Sequence, residues 1–380
     1  MDTILSPRPR SRPPALHLLA VAVLLALALL GSACAGTASP SGWAAPVIDG
    51  QTVFLSTDKG ELSALSFPDM RFIWRYPTEQ DKDDIKAIYG TPVVSKDTVY
   101  FGGYNKKVYA LDRQTGRPKW QQPFEVSDPI IGGPVLDEVS GTLFVGSDDG
   151  KLYGLDPATG RLKSPWPFKT GDGIWATPLL AEGVLYVASL DGKLYALDAS
   201  TAKEIWAEPF EADAGLISRP VLAGDRLIVG SIDRKLYAVD VKTGRAAWSQ
   251  PFEADNWFWA EPLVSGGTVY AASLDDRIYA LDLSDGSPAW DKPFKAKEPI
   301  RSRPLLAQNG SGLFVADRGG RIYRLDPQSG LALSTIPTEV GKKVLADLVA
   351  SERGIIISAQ GGDVFLLDPA NGTLNPVTVQ

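Results

Sequence analysis

The chain has 380 residues, 44% hydrophobic and 22% charged, with 38 Lys and Arg against 45 Asp and Glu for a net charge of −7. Those are the proportions of a soluble globular protein, and the acidic balance argues against a general basic field for nucleic acid or anionic lipid. The one histidine is His17 and the one cysteine Cys34. The chain beyond Cys34 therefore supports no Ser-His-Asp or Cys-His nucleophile, no His or Cys zinc site and no disulfide, while a carboxylate-only site for glycoside cleavage or Ca²⁺ survives.

Residues 1–33 have the pattern of a secretory signal. Arg8, Arg10 and Arg12 precede an apolar run from Ala15 to Leu30, and Gly31, Ser32 and Ala33 supply small residues before Cys34. The run is short of the roughly 20 residues a spanning helix needs. Leu-Gly-Ser-Ala-Cys resembles the bacterial lipoprotein box, although Gly31 stands where leucine is usual. The resemblance implies that Cys34 is lipidated and becomes the first residue; the alternative is an ordinary secretory signal with an incidental cysteine. Residues 34–42 (CAGTASPSG) then form a flexible tether, and 43–380 the folded body. Without residues 1–33 the balance is 35 basic against 44 acidic residues, a charge of −9.

The body is a repeat. Val108 to Trp120 (VYALDRQTGRPKW) returns as Leu152 to Trp166, Leu194 to Trp206, Leu236 to Trp248 and Ile278 to Trp290. It recurs without tryptophan as Ile322 to Gly330 and Val364 to Gly372, and in worn form as Leu62 to Trp74. The motif aspartate stands at 112, 156, 198, 240, 282, 326 and 368, with Ser66 in the first copy. Eight short-strand units of this period predict an all-β fold, an eight-bladed β-propeller of four-stranded antiparallel blades.

The copy around residues 173–210 gives the expected blade. Ile174 to Leu180 is the first strand, with Pro178 where no partner needs an N–H. Val184 to Ser189 is the second, rich in β-branched and aromatic residues. Asp191-Gly192 makes a two-residue turn, and Lys193 to Asp198 returns as the third strand. Asp198 and Thr201 bond backbone N–H groups around the next turn, and Trp206 opens a short fourth strand ending at Pro209-Phe210. The acidic hairpins (Asp148-Asp149-Gly150, Asp191-Gly192, Asp275-Asp276, Asp58-Lys59-Gly60) lack the alternating ligands and final glutamate of a calcium loop, so turn chemistry is expected and no metal.

The Leu-Asp-x-x-Thr-Gly-x-x-x-Trp element resembles the tryptophan-docking motif of the pyrroloquinoline-quinone (PQQ)-like propellers. The resemblance spans residues 43–380 and implies that Trp74, Trp120, Trp166, Trp206, Trp248 and Trp290 pack between blades as structural glue. Ala202 and Met70 replace the turn glycine, which strains a left-handed position or forces another turn. Trp166 comes two residues late, with Phe168 restoring register, while Ser334 and Pro376 occupy the last two tryptophan places.

Variation concentrates on each first strand, around its proline. One face repeats as apolar then small, as in Ile88/Gly90 and Ile174/Ala176. The other reads Trp43/Ala45, Tyr89/Thr91, Ile131/Gly133, Trp175/Thr177, Ile217/Arg219, Trp259/Glu261, Arg301/Arg303 and Leu345/Asp347. On innermost strands these side chains gather at one mouth of the central channel. Either they form a self-satisfied ring of salt bridges and aromatics, or Trp43, Tyr89, Trp175, Arg219, Trp259, Glu261, Arg301, Arg303 and Asp347 form a binding mouth for a peptide or anionic ligand. Trp257 and Phe258 are expected to be exposed at this rim.

The resemblance implies a non-catalytic, monomeric scaffold that binds protein partners and is held to a bacterial membrane by its lipid, facing the extracytoplasmic side. Outer-membrane protein assembly, the role of the BamB-type lipoproteins, is one such context. The alternative is a sensor or quinoprotein-type oxidoreductase binding PQQ or a sugar. PQQ is not expected, because the chain has no cysteine pair and its inter-repeat loops are short.

Overall fold

The structure, a computed structural model, describes residues 42–377 apart from residues 82, 308, 309, 311 and 335–337. The signal segment, Cys34 and all of the tether but Gly42 lie outside the described residues. Among the described residues are thirty-two strands and no helix. They form eight sheets, each a meander of four consecutive antiparallel strands, within residues 47–76, 93–125, 135–169, 179–211, 221–253, 263–295, 305–339 and 349–377 (blades 1 to 8).

Blade 4 shows why the repeat folds this way. Its second strand Val184–Ala188 and third strand Lys193–Asp198 pair from Val184↔Asp198 to Ala188↔Leu194. Gly192 takes the positive φ the turn requires, at 84°. At the next corner the Asp198 carboxylate accepts from the N–H groups of Ser200 and Thr201 and from both hydroxyls. Those hydrogen bonds push its pKa down to about 2.

Two strand boundaries differ from the sequence expectation. The first strand is Leu179–Ala181 rather than Ile174 to Leu180. The segment before it serves the neighbouring blade instead: the Ile174 N–H donates to the Ser147 carbonyl of blade 3 at 2.9 Å. Leu216 likewise donates to Ser189, at 2.9 Å. These serines are fully buried, and their hydroxyls return hydrogen bonds to the crossing loops at Asp128 and Asp172. The fourth strand is Phe210–Glu211 and excludes Trp206. Trp206 has left the sheet to cross into blade 5, where its Nε1–H donates to the Val241 carbonyl at 2.9 Å. Blade 1 is the exception, with Trp74 inside the longer fourth strand Phe72–Tyr76.

The crossing repeats around the ring. Nε1 of Trp74, Trp120, Trp248 and Trp290 donates to the carbonyls of Arg113, Pro157, Leu283 and Pro327 at 2.9–3.0 Å. Each of these indoles lies against the turn glycine of the following blade: Gly116, Gly160, Gly286 and Gly330, with Gly244 receiving Trp206. Where Ala202 replaces that glycine it still holds φ at 56°, and the late Trp166 packs beside it in an apolar cluster. Met70, at φ 57°, faces a seam whose other side has Pro376 in place of tryptophan.

Eight buried apolar clusters fill the seams, one between each pair of adjacent blades. Ring closure, open from the sequence, is made by side chains. Blade 8 supplies its own fourth strand, Leu374–Val377, and blade 1 its own first, Val47–Asp49. Val53, Leu55, Leu65 and Phe67 meet Ile356 and Val364 across the join. The backbone of Trp43 instead bonds Ile88, between blades 1 and 2.

A Cβ on Gly244 would stand 2.6 Å from the Trp206 ring at φ 71°, whereas one on Gly224, at φ 62°, would meet nothing within 4 Å. Gly224→Ala should cost about 1 kcal/mol for the left-handed backbone alone. Gly244→Ala should cost about 2–4 kcal/mol, because overpacking adds to the same strain. Urea unfolding of the two variants compares them, and equal losses would remove the indole dock from the account.

Candidate functional site

The innermost segments enclose a channel cavity of about 670 Å³. All nine candidate mouth residues line it, and of the variable face only Gly133 does not. They do so because each segment alternates: the apolar residue of each repeat, such as Ile174 or Ile300, is buried in a seam, leaving the residues beside it to face the axis. Adjacent axial positions fall into two layers.

The first layer is aromatic and meets across the channel. Trp43 and Tyr89 have ring centroids 4.1 Å apart, Trp43 and Trp259 6.5 Å, and Trp175 and Trp259 6.3 Å. The Arg301 guanidinium sits 4.4 Å from the Trp43 ring and 4.3 Å from the Trp259 ring. Indole faces attract a cation, which partly offsets the desolvation of this one. Burial still pushes the Arg301 pKa down to about 10, with the Arg318 charge adding and Tyr89 opposing. Burial also lifts Tyr89 to about 12. Trp175 is fixed from outside the layer, its Nε1–H donating to Asp148 at 2.6 Å.

The second layer carries charges that alternate in sign from Arg219 through Glu261 and Arg303 to Asp347. Glu261 receives Arg219 at 3.6 Å on one oxygen and Arg303 at 3.3 Å on the other. Asp347 accepts from the backbone N–H of Arg303 at 2.7 Å, and Thr177 accepts from that of Gly133 at 2.7 Å. In both cases a side chain satisfies an inner-edge N–H of the preceding blade. The channel thus combines a partial salt-bridge ring with an arginine, Arg301, that has no carboxylate partner among the described residues.

One expectation is corrected. Phe258 is 1% exposed, packed in the seam between blades 5 and 6, so it contributes nothing to a rim. It occupies the apolar place of its repeat, and its neighbour Trp257 is partly buried. Three of the four acidic hairpins are tied into their blades: Asp149, Asp191 and Asp275 each accept a 2.6 Å hydrogen bond from the tyrosine four residues on, as does Asp233 in blade 5, whereas Asp58 has Leu62 at that place. Among the described residues no cluster of His, Cys, Asp and Glu is placed to hold a metal ion. Asp148 and the buried serines escaped the sequence reading. The serines recur at one place in four repeats (147, 189, 231, 273), a signal that was available; the place of Asp148 holds an aspartate again only in the first repeat, at Asp58.

A ring of this construction places the chain among the PQQ-like β-propellers. Within that class, the family model described as "Outer membrane protein assembly factor BamB" matches residues 33–163, 107–221, 163–255 and 203–372, and the chain belongs to this family. The BamB of Legionella pneumophila (strain Paris) is 30% identical over 77 residues, a stretch spanning 20% of this chain and 18% of that protein. Among solved structures, BamB from Moraxella catarrhalis superposes with a TM-score of 0.69 at 18% identity, covering 84% of this chain and 92% of that one. The computationally designed Ika8 protein gives a TM-score of 0.70 at 13% identity, covering 86% and 95%. Both likenesses concern the fold.

Asp347 gives the charged layer a pH signature. Burial raises its pKa above the ordinary carboxylate value; the Arg303 N–H opposes this, and Glu261 nearby adds to it. A carboxyl that is harder to ionise folded than unfolded costs stability as pH rises through its unfolded value, about 4. Asn in its place keeps an oxygen for the Arg303 N–H and does not ionise. Asp347→Asn should therefore gain stability relative to the parent between pH 4 and 7, read as a widening gap in urea midpoints. A gap constant with pH would contradict it.

Proposed function

We propose that the chain is a non-catalytic scaffold of outer-membrane protein assembly, lipid-anchored through Cys34 and facing the periplasm. The observation that carries this reading is the family match, which extends from residue 33 to residue 372. The architecture suits the role: eight sheets docked edge to edge make a stiff platform, and the polar groups common to the repeats are engaged in turns and seams. Loops and the channel are where one propeller of this build can differ from another, and partner contacts belong there.

The anchor follows from Arg8 to Cys34, and the tether keeps the ring within reach of the bilayer that holds the lipid. Metabolic labelling with a fatty-acid probe should mark the parent and not Cys34→Ser, which should move to the soluble fraction. Labelling of both would reject the anchor.

In-cell crosslinking tests the scaffold itself. Recovery of outer-membrane assembly proteins is expected, and should persist in Cys34→Ser brought to the same compartment by an unlipidated signal. The opposing result is a stoichiometric absorbance change and dye reduction when PQQ and Ca²⁺ are added to the purified protein, with no assembly protein crosslinked.

A further inference from the structure

The channel contains three cations, Arg219, Arg301 and Arg303, and two carboxylates, Glu261 and Asp347, in a body whose overall charge is negative. Their use is uneven. Glu261 serves Arg219 and Arg303 through single contacts at 3.6 and 3.3 Å, and those arginine side chains stay 40% and 39% exposed. The Nε of Arg219 is buried without a hydrogen-bond partner. Asp347 is occupied by a backbone N–H. Arg301 has neither ion pair nor hydrogen bond among the described residues; two indoles flank it, with Tyr89 and the Arg318 charge near by.

An ionised guanidinium taken out of water and left without an anion is costly, and indole faces recover only part of that cost. A planar fork with free N–H groups recognises a carboxylate in two parallel hydrogen bonds. The cavity, about 670 Å³, is of a size that holds a small organic molecule. Its walls beyond the charged layer are apolar, with Leu263, Leu305 and Val349 among them. Among the residues lining the cavity the surplus is one positive charge, and Glu261 and Asp347 would repel a second negative charge.

We infer that the channel is a binding site for a small monoanionic organic carboxylate, its carboxylate held by Arg301 and its apolar body lodged against Trp43 and Trp259. This site is separate from the scaffold reading; either can fail without the other. Arg219 and Arg303 shape the field around the carboxylate while remaining on Glu261. Their single, stretched contacts with that residue leave donors to turn toward the ligand.

The test uses the full-length protein in detergent and four probes of one body: phenylacetate, phenylethanol, phenethylamine and phenyl phosphate. Binding is followed by tryptophan fluorescence and by calorimetry. Phenylacetate should bind with one site per chain, at least tenfold tighter than the alcohol or the amine, and tighter than the phosphate. Arg301→Leu should lose at least tenfold in phenylacetate affinity, and Arg301→Lys, which keeps the charge but not the fork, should fall between. Circular dichroism and urea midpoints check that both variants fold; if Arg301→Leu does not fold, Arg301→Lys and the probe series carry the decision. No phenylacetate binding, equal binding of all four probes, preference for the phosphate dianion, or full affinity in a folded Arg301 variant would each overturn the inference.

Discussion

The indole that crosses a seam to lie on the next blade's turn glycine is the contact on which the architecture depends. It explains three sequence features together. Glycine is needed twice at that turn, for a positive φ and for bare backbone under the ring. In blades 2 to 6 the tryptophan leaves its own sheet ahead of a fourth strand of only two residues. The Asp-Thr pair ahead of it holds the turn in the one conformation that presents the glycine. Each dock fixes one blade on its neighbour at a hydrogen bond of 2.9–3.0 Å. A ring of such joints permits little sliding, and that stiffness carries through to the hub.

The hub obeys a different rule. Around the seams the eight repeats agree, because eight equivalent interfaces make the same packing demand. On the axis no such demand exists, and the residues diverge into an aromatic half centred on Trp43 and Trp259 and a charged half centred on Glu261. The two halves are coupled through blade 7, which places Arg301 among the rings and Arg303 on Glu261, two residues apart on one segment. The repeated scaffold thus positions a non-repeated set of side chains with the rigidity of all eight sheets behind it.

The sequence made the fold legible because period, turn residues and tryptophans all state one blade eight times. It also assigned the nine channel residues to one mouth, since alternation on an inner strand leaves few other places for them. It misplaced Phe258, which looked exposed in the run Asn256-Trp-Phe-Trp259, although its repeat position is that of Ile174 and Ile300. It misjudged both outer strand boundaries for one reason: the segments leave their own sheet to serve the adjacent blade. Hydrogen bonds such as Ile174 to Ser147 join different repeats, and periodicity within a repeat carries no sign of them. Pairings that depend on distance across the hub, such as Arg301 between rings from blades 1 and 6, required the closed ring to be seen.

The join between blades 8 and 1 departs from the other seams. Pro376 offers no indole, Met70 stands where glycine would receive one, and among the described residues six buried side chains fill the cluster where the seam of blades 1 and 2 has twelve. The preceding seam also lacks its tryptophan, with the Thr338 hydroxyl reaching the Gly372 carbonyl instead. The tryptophan latch is therefore missing on both sides of blade 8. Thermal opening of the wheel should begin there, as a hinged gate between the two ends of the chain, while the opposite arc from blade 4 to blade 7 stays clasped.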